Sequence, residues 1–178
     1  MNFDASRLFE PLQLPCGTVL ANRLAKAAMS ETQMRLYERW AEGGLAVSGI
    51  GEVQGNPHFA EKPGNLVLTE RTDMRACRAL AQRGAGTNTQ LWLQLGHAGA
   101  MTFPPIGTPK GPSKITVPGL KSGALTSAEI AQLPEAFAKT ARLGRDLGFG
   151  GVEIHAAHGF LLSQFLSPLF NRRTDAYG

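Results

Sequence analysis

Four short apolar runs, each separated from the next by a longer stretch, constrain this chain more than any other feature. They are residues 23–29 (ending LAKAAM), 45–53 (LAVSGIGEV), 89–95 (TQLWLQL) and 152–155 (VEIH). Each has the length of a strand and is too short for a stable helix. Segments of helical period lie between them. Residues 33–42 bring Leu36, Tyr37 and Trp40 to one side and stop at Gly43-Gly44. Residues 69–83 form a second helical segment, ended by Gly84. Thr126 and Glu129 make a capping box ahead of a third, which reaches about Asp146. Pro134 interrupts it and reads as the first residue of a second helix after a short first one. Parallel neighbouring strands need a crossover, usually a helix, so the order predicts an α/β fold with a parallel sheet. Residues 98–124, rich in Gly, Pro, Ser and Thr, read as one long loop, and loops of that length usually have a functional reason. Residues 8–20 (LFEPLQLPCGTVL) read as a hairpin about a Pro15-Cys16-Gly17-Thr18 turn, placed before the pattern like a plug or lid.

Composition removes several classes of function. The chain has 178 residues, 43% of them hydrophobic and 18% charged, which suits one globular domain and not a disordered chain. Its 18 Lys+Arg against 14 Asp+Glu are scattered, with no basic run longer than Arg172-Arg173, so no nucleic-acid partner is expected. Cys16 and Cys77 stand far apart, against both a zinc site and a disulfide scaffold. No apolar run approaches the ~20 residues needed to span a bilayer. The opening MNFDASRLFEPL has neither the basic start nor the apolar core of a secretory signal. A soluble cytoplasmic protein with no membrane partner is expected.

In α/β folds function collects at the carboxyl ends of strands. Three polar clusters fall there: Met29-Ser30-Glu31, Gln94-Leu95-Gly96-His97 and His155-Ala156-Ala157-His158. Each has a plain structural alternative. Ser30 serves as a helix cap, Gln94 satisfies a strand-end backbone group, and His97 packs or orients. His155 and His158, three residues apart, read as a structural pair at a helix start, as metal ligands, or as two imidazole N–H donors that polarise a carbonyl oxygen.

The run EIHAAHGFLLSQFLSPLFNRRTDAYG (153–178) resembles the signature of the Old Yellow Enzyme family of FMN-dependent NAD(P)H:flavin oxidoreductases. The opening LFEPLQLPCGTVLANRLAKAAMSE and the QLGHAGA run (94–100) resemble the same family's first strand and third-strand motif, in the family's order. The resemblance implies a (β/α)₈ barrel of the TIM type with FMN at its carboxyl face. It implies hydride transfer from NAD(P)H, through the flavin, to the β-carbon of an α,β-unsaturated carbonyl compound, a small-molecule enone. It maps Ala27, Ala28, Met29 and Ser30 alongside the flavin ring, and Gln94 onto its pyrimidine edge. It maps His155 and His158 onto the pair that binds the substrate carbonyl oxygen. Two fixed donors there favour the charge that develops on that oxygen. No metal is implied.

Three departures stand out. Phe160 occupies the place of a tyrosine that commonly donates a proton in this family. Ala100 replaces a common arginine, and the link from Met29 to Arg35 is short. A full barrel of this type takes ~250 residues, so residues 1–178 are expected to be an N-terminal half: about four βα units preceded by the hairpin. Such a half leaves two strand edges open. It is expected to bind FMN weakly and to self-associate or to meet a complementing half-barrel, and a truncated, non-catalytic chain is the alternative.

Overall fold

The structure, a computed structural model, describes residues 4–29 and 33–178. Ser30 and Glu31 therefore lie outside the described residues. The central feature is a four-stranded, all-parallel sheet. Its strands, in spatial and chain order, are β3 (Ala25–Met29), β4 (Val47–Val53), β5 (Gln90–Leu95) and β9 (Gly151–Ile154). Helices α1 (Met34–Glu42), α2 (Met74–Ala85) and α3 (Ser127–Leu147) make the crossovers. Alternation along β5 sends Leu91, Leu93 and Leu95 to the helix side. There they meet Tyr37, Leu80, Leu147 and Phe149 in the main core. Lys26 of β3 lies under α1 with its Nζ 4.2 Å from the Trp40 ring centre and 5.4 Å from that of Tyr37. A cation over aromatic faces is stabilised where a bare charge is not.

The hairpin forms as expected, from β1 (Leu12–Gln13) and β2 (Val19–Leu20), antiparallel, with Leu12 opposite Leu20. Asn22 fastens it: its side chain donates to Gly44 O (2.8 Å) and accepts from Leu24 N (2.9 Å). Gly44 precedes β4, so the hairpin sits at the amino ends of the strands. It is a plug under the sheet, not a lid over a site.

Helix α2 departs from the expected bounds at both ends. Asp73 caps it by accepting from Arg75 N and Ala76 N, so it starts at Met74. The Thr69–Thr72 stretch is a turn, with Thr69 N donating to Thr72 Oγ1 (2.9 Å) and Thr72 Oγ1 donating to Val67 O (2.8 Å). Hydroxyls that bond nearby backbone compete with helix there. Gly84 does not end the helix. It lies inside it, where a Cβ would be 2.6 Å from Leu91 Cδ2 and 3.2 Å from Tyr37 Cβ, and the stop falls at Gly86 (φ 54°).

Two further expectations are corrected. Helix α3 is one helix of 21 residues with Pro134 inside it, not two helices joined at the proline. Its ends are fixed by the full Thr126–Glu129 capping box and by Gly148 at φ 94°. Buried Ile130 and Leu133 hold the first turns. The anchored ends and buried face outweigh the lost backbone donor. The stretch 98–124 is not one loop either. It carries a three-stranded sheet, order β6 (Lys110–Gly111), β8 (Leu120–Ala124), β7 (Ile115–Val117). The β7–β8 turn is Pro118-Gly119, with Gly119 at φ 80°. A short helix α4 (Leu161–Phe165) follows β9. Beyond it, Arg173 donates to Pro112 O (2.9 Å) and Leu125 O (2.8 Å) and pairs with Asp175, tying the last residues to the start of α3.

Strands β3 and β9 are the two edges of the parallel sheet. Val152 and Ile154 of β9 are 37% and 49% exposed. Ile154 adjoins an open apolar groove of about 710 Å³ with Ile130, Leu133, Phe137, Leu162 and Phe165. No helix among the described residues is long and apolar enough to cross a membrane.

Candidate active site

Parallel strands end on the same side, so the segments after β3, β4, β5 and β9 share one face. A hollow of about 320 Å³ lies there, lined by Ala28, Met29, Gly51, Glu52, Lys62, Gln94 and His158. Three of the sequence-derived candidates therefore meet His158 in one place: Ala28, Met29 and Gln94. Ala27 is exposed on β3 and does not line the hollow. Ser30 is outside the described residues.

Gln94 is opposite Glu153 in the β5–β9 register. Its Nε2 donates to Glu153 Oε1 (2.9 Å) and its Oε1 accepts from Glu52 N (3.4 Å). The carboxamide is thereby oriented, with one amide hydrogen left over. Glu52 itself sits at φ 54°, in the left-handed region that side-chain-bearing residues rarely occupy. Its carboxylate accepts from Asn65 Nδ2 (3.0 Å).

The two histidines do come together, but not on a helix. They lie in the turn between β9 and α4, where His158 (φ 55°) and Gly159 (φ 76°) reverse the chain. Their ring centres are 5.1 Å apart at 63°. His155 is 3% exposed, backed by Phe160 at 4.9 Å, and its Nε2 is buried without a partner. His158 is exposed at the rim. Burial first, and the His158 charge second, hold the His155 pKa below the ordinary histidine value against the opposing pull of Glu52 and Glu153. His155 is thus a neutral imidazole at neutral pH, with one N–H and one bare nitrogen. Among the described residues no three His, Cys, Asp or Glu side chains gather as a metal-binding group.

His97 lies elsewhere. It stacks on Phe59 (3.8 Å) and its Nδ1 accepts from Gly99 N (2.9 Å). Burial lowers its pKa to about 4. It faces a separate cavity beside Asn56 and Lys110, so its role here is to pack and to hold the β5 loop. Ala100 is buried, and its N–H donates to Gln164 Oε1 (3.0 Å). Gln164 Nε2 also donates to Ala98 O (3.0 Å) and Gly159 O (2.6 Å), which joins the β5 loop to the histidine turn.

Glu52, Lys62 and Asn65 were not among the site residues chosen from sequence, although the family resemblance brings the strand end near Gly51 and Glu52 toward the flavin without assigning a residue there. Glu52 closes the apolar run LAVSGIGEV, and a charge at the end of a buried strand is the signal for it. The other two lie in a segment with no regular period, which carries none.

Small residues and polar side chains share the lining of the hollow. Its wall is low at Ala28 and Gly51, where main chain can approach closely. Gln94 offers an oriented amide hydrogen, and His155 Nε2 is a buried polar atom lacking a partner.

The likeness to known proteins agrees with this geometry. The chain is 35% identical over 206 residues to the NADH-dependent flavin oxidoreductase iliE of Neonectria sp. (strain DH2), covering 95% of this chain and 27% of that protein. It is 30% identical to the probable NADH-dependent flavin oxidoreductase YqiG of Bacillus subtilis (strain 168), covering 100% of this chain and 52% of that one. Among solved structures, morphinone reductase superposes with a TM-score of 0.85 at 24% identity, over 96% of this chain and 55% of its own. The Old Yellow Enzyme from Pichia sp. AKU4542 gives 0.84 at 22%, over 97% and 51%. These superpositions identify the fold as a partial (β/α)₈ barrel, of which this chain spans about half. Residues 7–178 match the NADH:flavin oxidoreductase / NADH oxidase family, and the chain belongs to that family.

Proposed function

We propose that residues 1–178 are the N-terminal half of an FMN-binding barrel. In this reading the barrel takes hydride from NAD(P)H and reduces the C=C bond of α,β-unsaturated carbonyl compounds. The observation that carries this reading is that Gln94 and His158 line one hollow at the carboxyl ends of the strands, with the buried His155 ring 5.1 Å behind that of His158. FMN, when bound, supplies the hydride-transfer chemistry. Ala28 and Met29 run beside the ring, and Gln94 holds its pyrimidine edge. His155 and His158 direct N–H groups at the substrate carbonyl oxygen, where negative charge grows as hydride adds. A neutral imidazole at His155 still has one ring N–H to donate. Both cysteines are free, which fits the reducing cytoplasm.

The two sheet edges and the apolar groove favour a second reading of the 178-residue chain by itself. It binds FMN weakly, does not turn over, and covers its edges by self-association or with a complementing half-barrel. A visible spectrum of the purified chain, desalted after adding FMN, separates the two. A retained flavin band near ~450 nm, lost in Gln94→Ala, supports the first reading. A folded chain that keeps no flavin and sediments as an oligomer overturns it for this chain.

A further inference from the structure

His97 holds the β5 loop with only one of its ring nitrogens. Its Nδ1 accepts from Gly99 N (2.9 Å), so in the neutral ring the proton is on Nε2. Burial keeps the ring neutral, with its pKa at about 4. The residue is 6% exposed and stacks on Phe59, and no described residue accepts the Nε2 proton. Unlike His155 Nε2, this nitrogen is not sealed in. His97 lines a cavity of about 500 Å³, inside the range of about 300–1,000 Å³ for small-molecule sites. His58 lines the same cavity with the opposite tautomer. A carbonyl oxygen only accepts, so His58 Nδ1 donates to Ile106 O (2.8 Å), and Nε2 of the neutral ring is a bare acceptor. The one cation and the one carboxylate of the lining, Lys110 and Glu129, are paired with each other. Leu125, Leu133 and Ala136 make the apolar side. No residue lines both this cavity and the hollow that holds Gln94 and His158.

We propose that this cavity is a second binding site, separate from the hollow, for a small neutral amide with an apolar body. His97 Nε2–H donates to the amide oxygen, and His58 Nε2 accepts from the amide N–H. The apolar body lies against Leu125 and Leu133. Three constraints select this class. A donor and an acceptor on different side chains suit a ligand that carries both functions on different atoms, as an amide does. A carboxylate only accepts, so it gives His58 nothing, and it meets no spare cation because Glu129 already holds Lys110. A wholly apolar molecule would strand the buried His97 N–H without an acceptor. The site uses no flavin and no hydride, so it stands apart from the reading of the hollow.

Benzamide is the probe, and histidine-ring NMR of the nitrogen-15-labelled chain is the readout, because it reports each tautomer and each ring separately. Before any addition, His97 should carry its proton on Nε2. Benzamide should then shift the His97 and His58 ring signals together and saturably, with a Kd of about 1 mM or below, and leave His158 unmoved. Benzoate, of the same shape but charged and without a donor, should bind at least about tenfold more weakly. His97→Phe keeps a ring on Phe59 and removes the N–H, and it should weaken benzamide by about tenfold or more. Gln132→Trp is the second variant, in case the first folds poorly. Gln132 is an exposed residue of α3 on the cavity lining, so a bulky ring there blocks the cavity without entering the core. It should abolish the shifts. A His97 proton on Nδ1 overturns the proposal, and so does benzamide that moves His158 alone or moves no histidine. Benzoate that binds as well as benzamide overturns the amide class. Unchanged benzamide affinity in Gln132→Trp overturns the location.

Discussion

Replacing Gln164 with leucine should cost this chain much of its stability. Gln164 is fully buried and makes three hydrogen bonds, to Ala98 O, Gly159 O and Ala100 N, at 3.0, 2.6 and 3.0 Å. Leucine fills nearly the same volume, so the packing term is small and the polar term dominates. Each bond is worth about 1 kcal/mol net, and a buried N–H left without an acceptor costs about 1–3 kcal/mol. Ala100 is 1% exposed, so water does not readily take the place of the lost acceptor. The expected loss is about 3 kcal/mol, a large share of the roughly 5–15 kcal/mol of a typical domain. With a urea slope of about 2 kcal/mol per molar, the midpoint should fall by about 1.5 M. Because Gly159 O is released, the His158 ring signals in NMR should broaden or shift in the same variant. A loss under about 1 kcal/mol at an unchanged slope would refute the reasoning. It would mean that the two loops satisfy their backbone groups without Gln164.

Two further outcomes are open to direct measurement. Gly84→Ala should destabilise by about 1–2 kcal/mol in a thermal melt, because a methyl lands against Leu91 and Tyr37. Helix propensity alone predicts a gain of about 1 kcal/mol, so a raised melting temperature would contradict the close packing of α2 on β5. The second concerns His97, whose pKa drops from 6.5 unfolded to about 4 folded. Between those values the unfolded chain binds the extra proton and the folded one does not, so stability falls as pH drops from 6.5 to 4 and levels below that. At 1.36 kcal/mol per unit the span is about 3 kcal/mol. His97→Gln should flatten this part of the denaturation–pH profile, and an unchanged slope would place the titration elsewhere.

The parallel sheet was readable because period and punctuation agree. Alternation in TQLWLQL shows in one line which side chains face the helices, and Thr126 with Glu129 marks the start of α3 without ambiguity. What failed was local chemistry overruled by contacts distant in sequence. Gly84 looks like a stop, yet it is the contact point with Leu91 seven residues on, across the turn. Pro134 looks like a boundary, yet anchored ends keep the helix continuous. The small sheet over 110–124 has strands of two to five residues, too short to show a period. At the site, His155, His158 and Gln94 could be chosen from strand ends. The Asn65–Glu52 hydrogen bond could not, because it joins an aperiodic loop to a strand end and depends on a fold the residues do not spell out.

Among the described residues, only Glu52 and His158 combine a side chain with a left-handed backbone, and both line the same hollow. Glycine would adopt either conformation at a saving of about 1 kcal/mol or more. A laboratory selection for heat resistance alone should therefore find Glu52→Gly and His158→Gly early. The survivors would be sturdier chains with a bare hollow. Screening for survival would thus erase this site first, and any attempt to toughen the protein needs a second screen that asks what the hollow still holds.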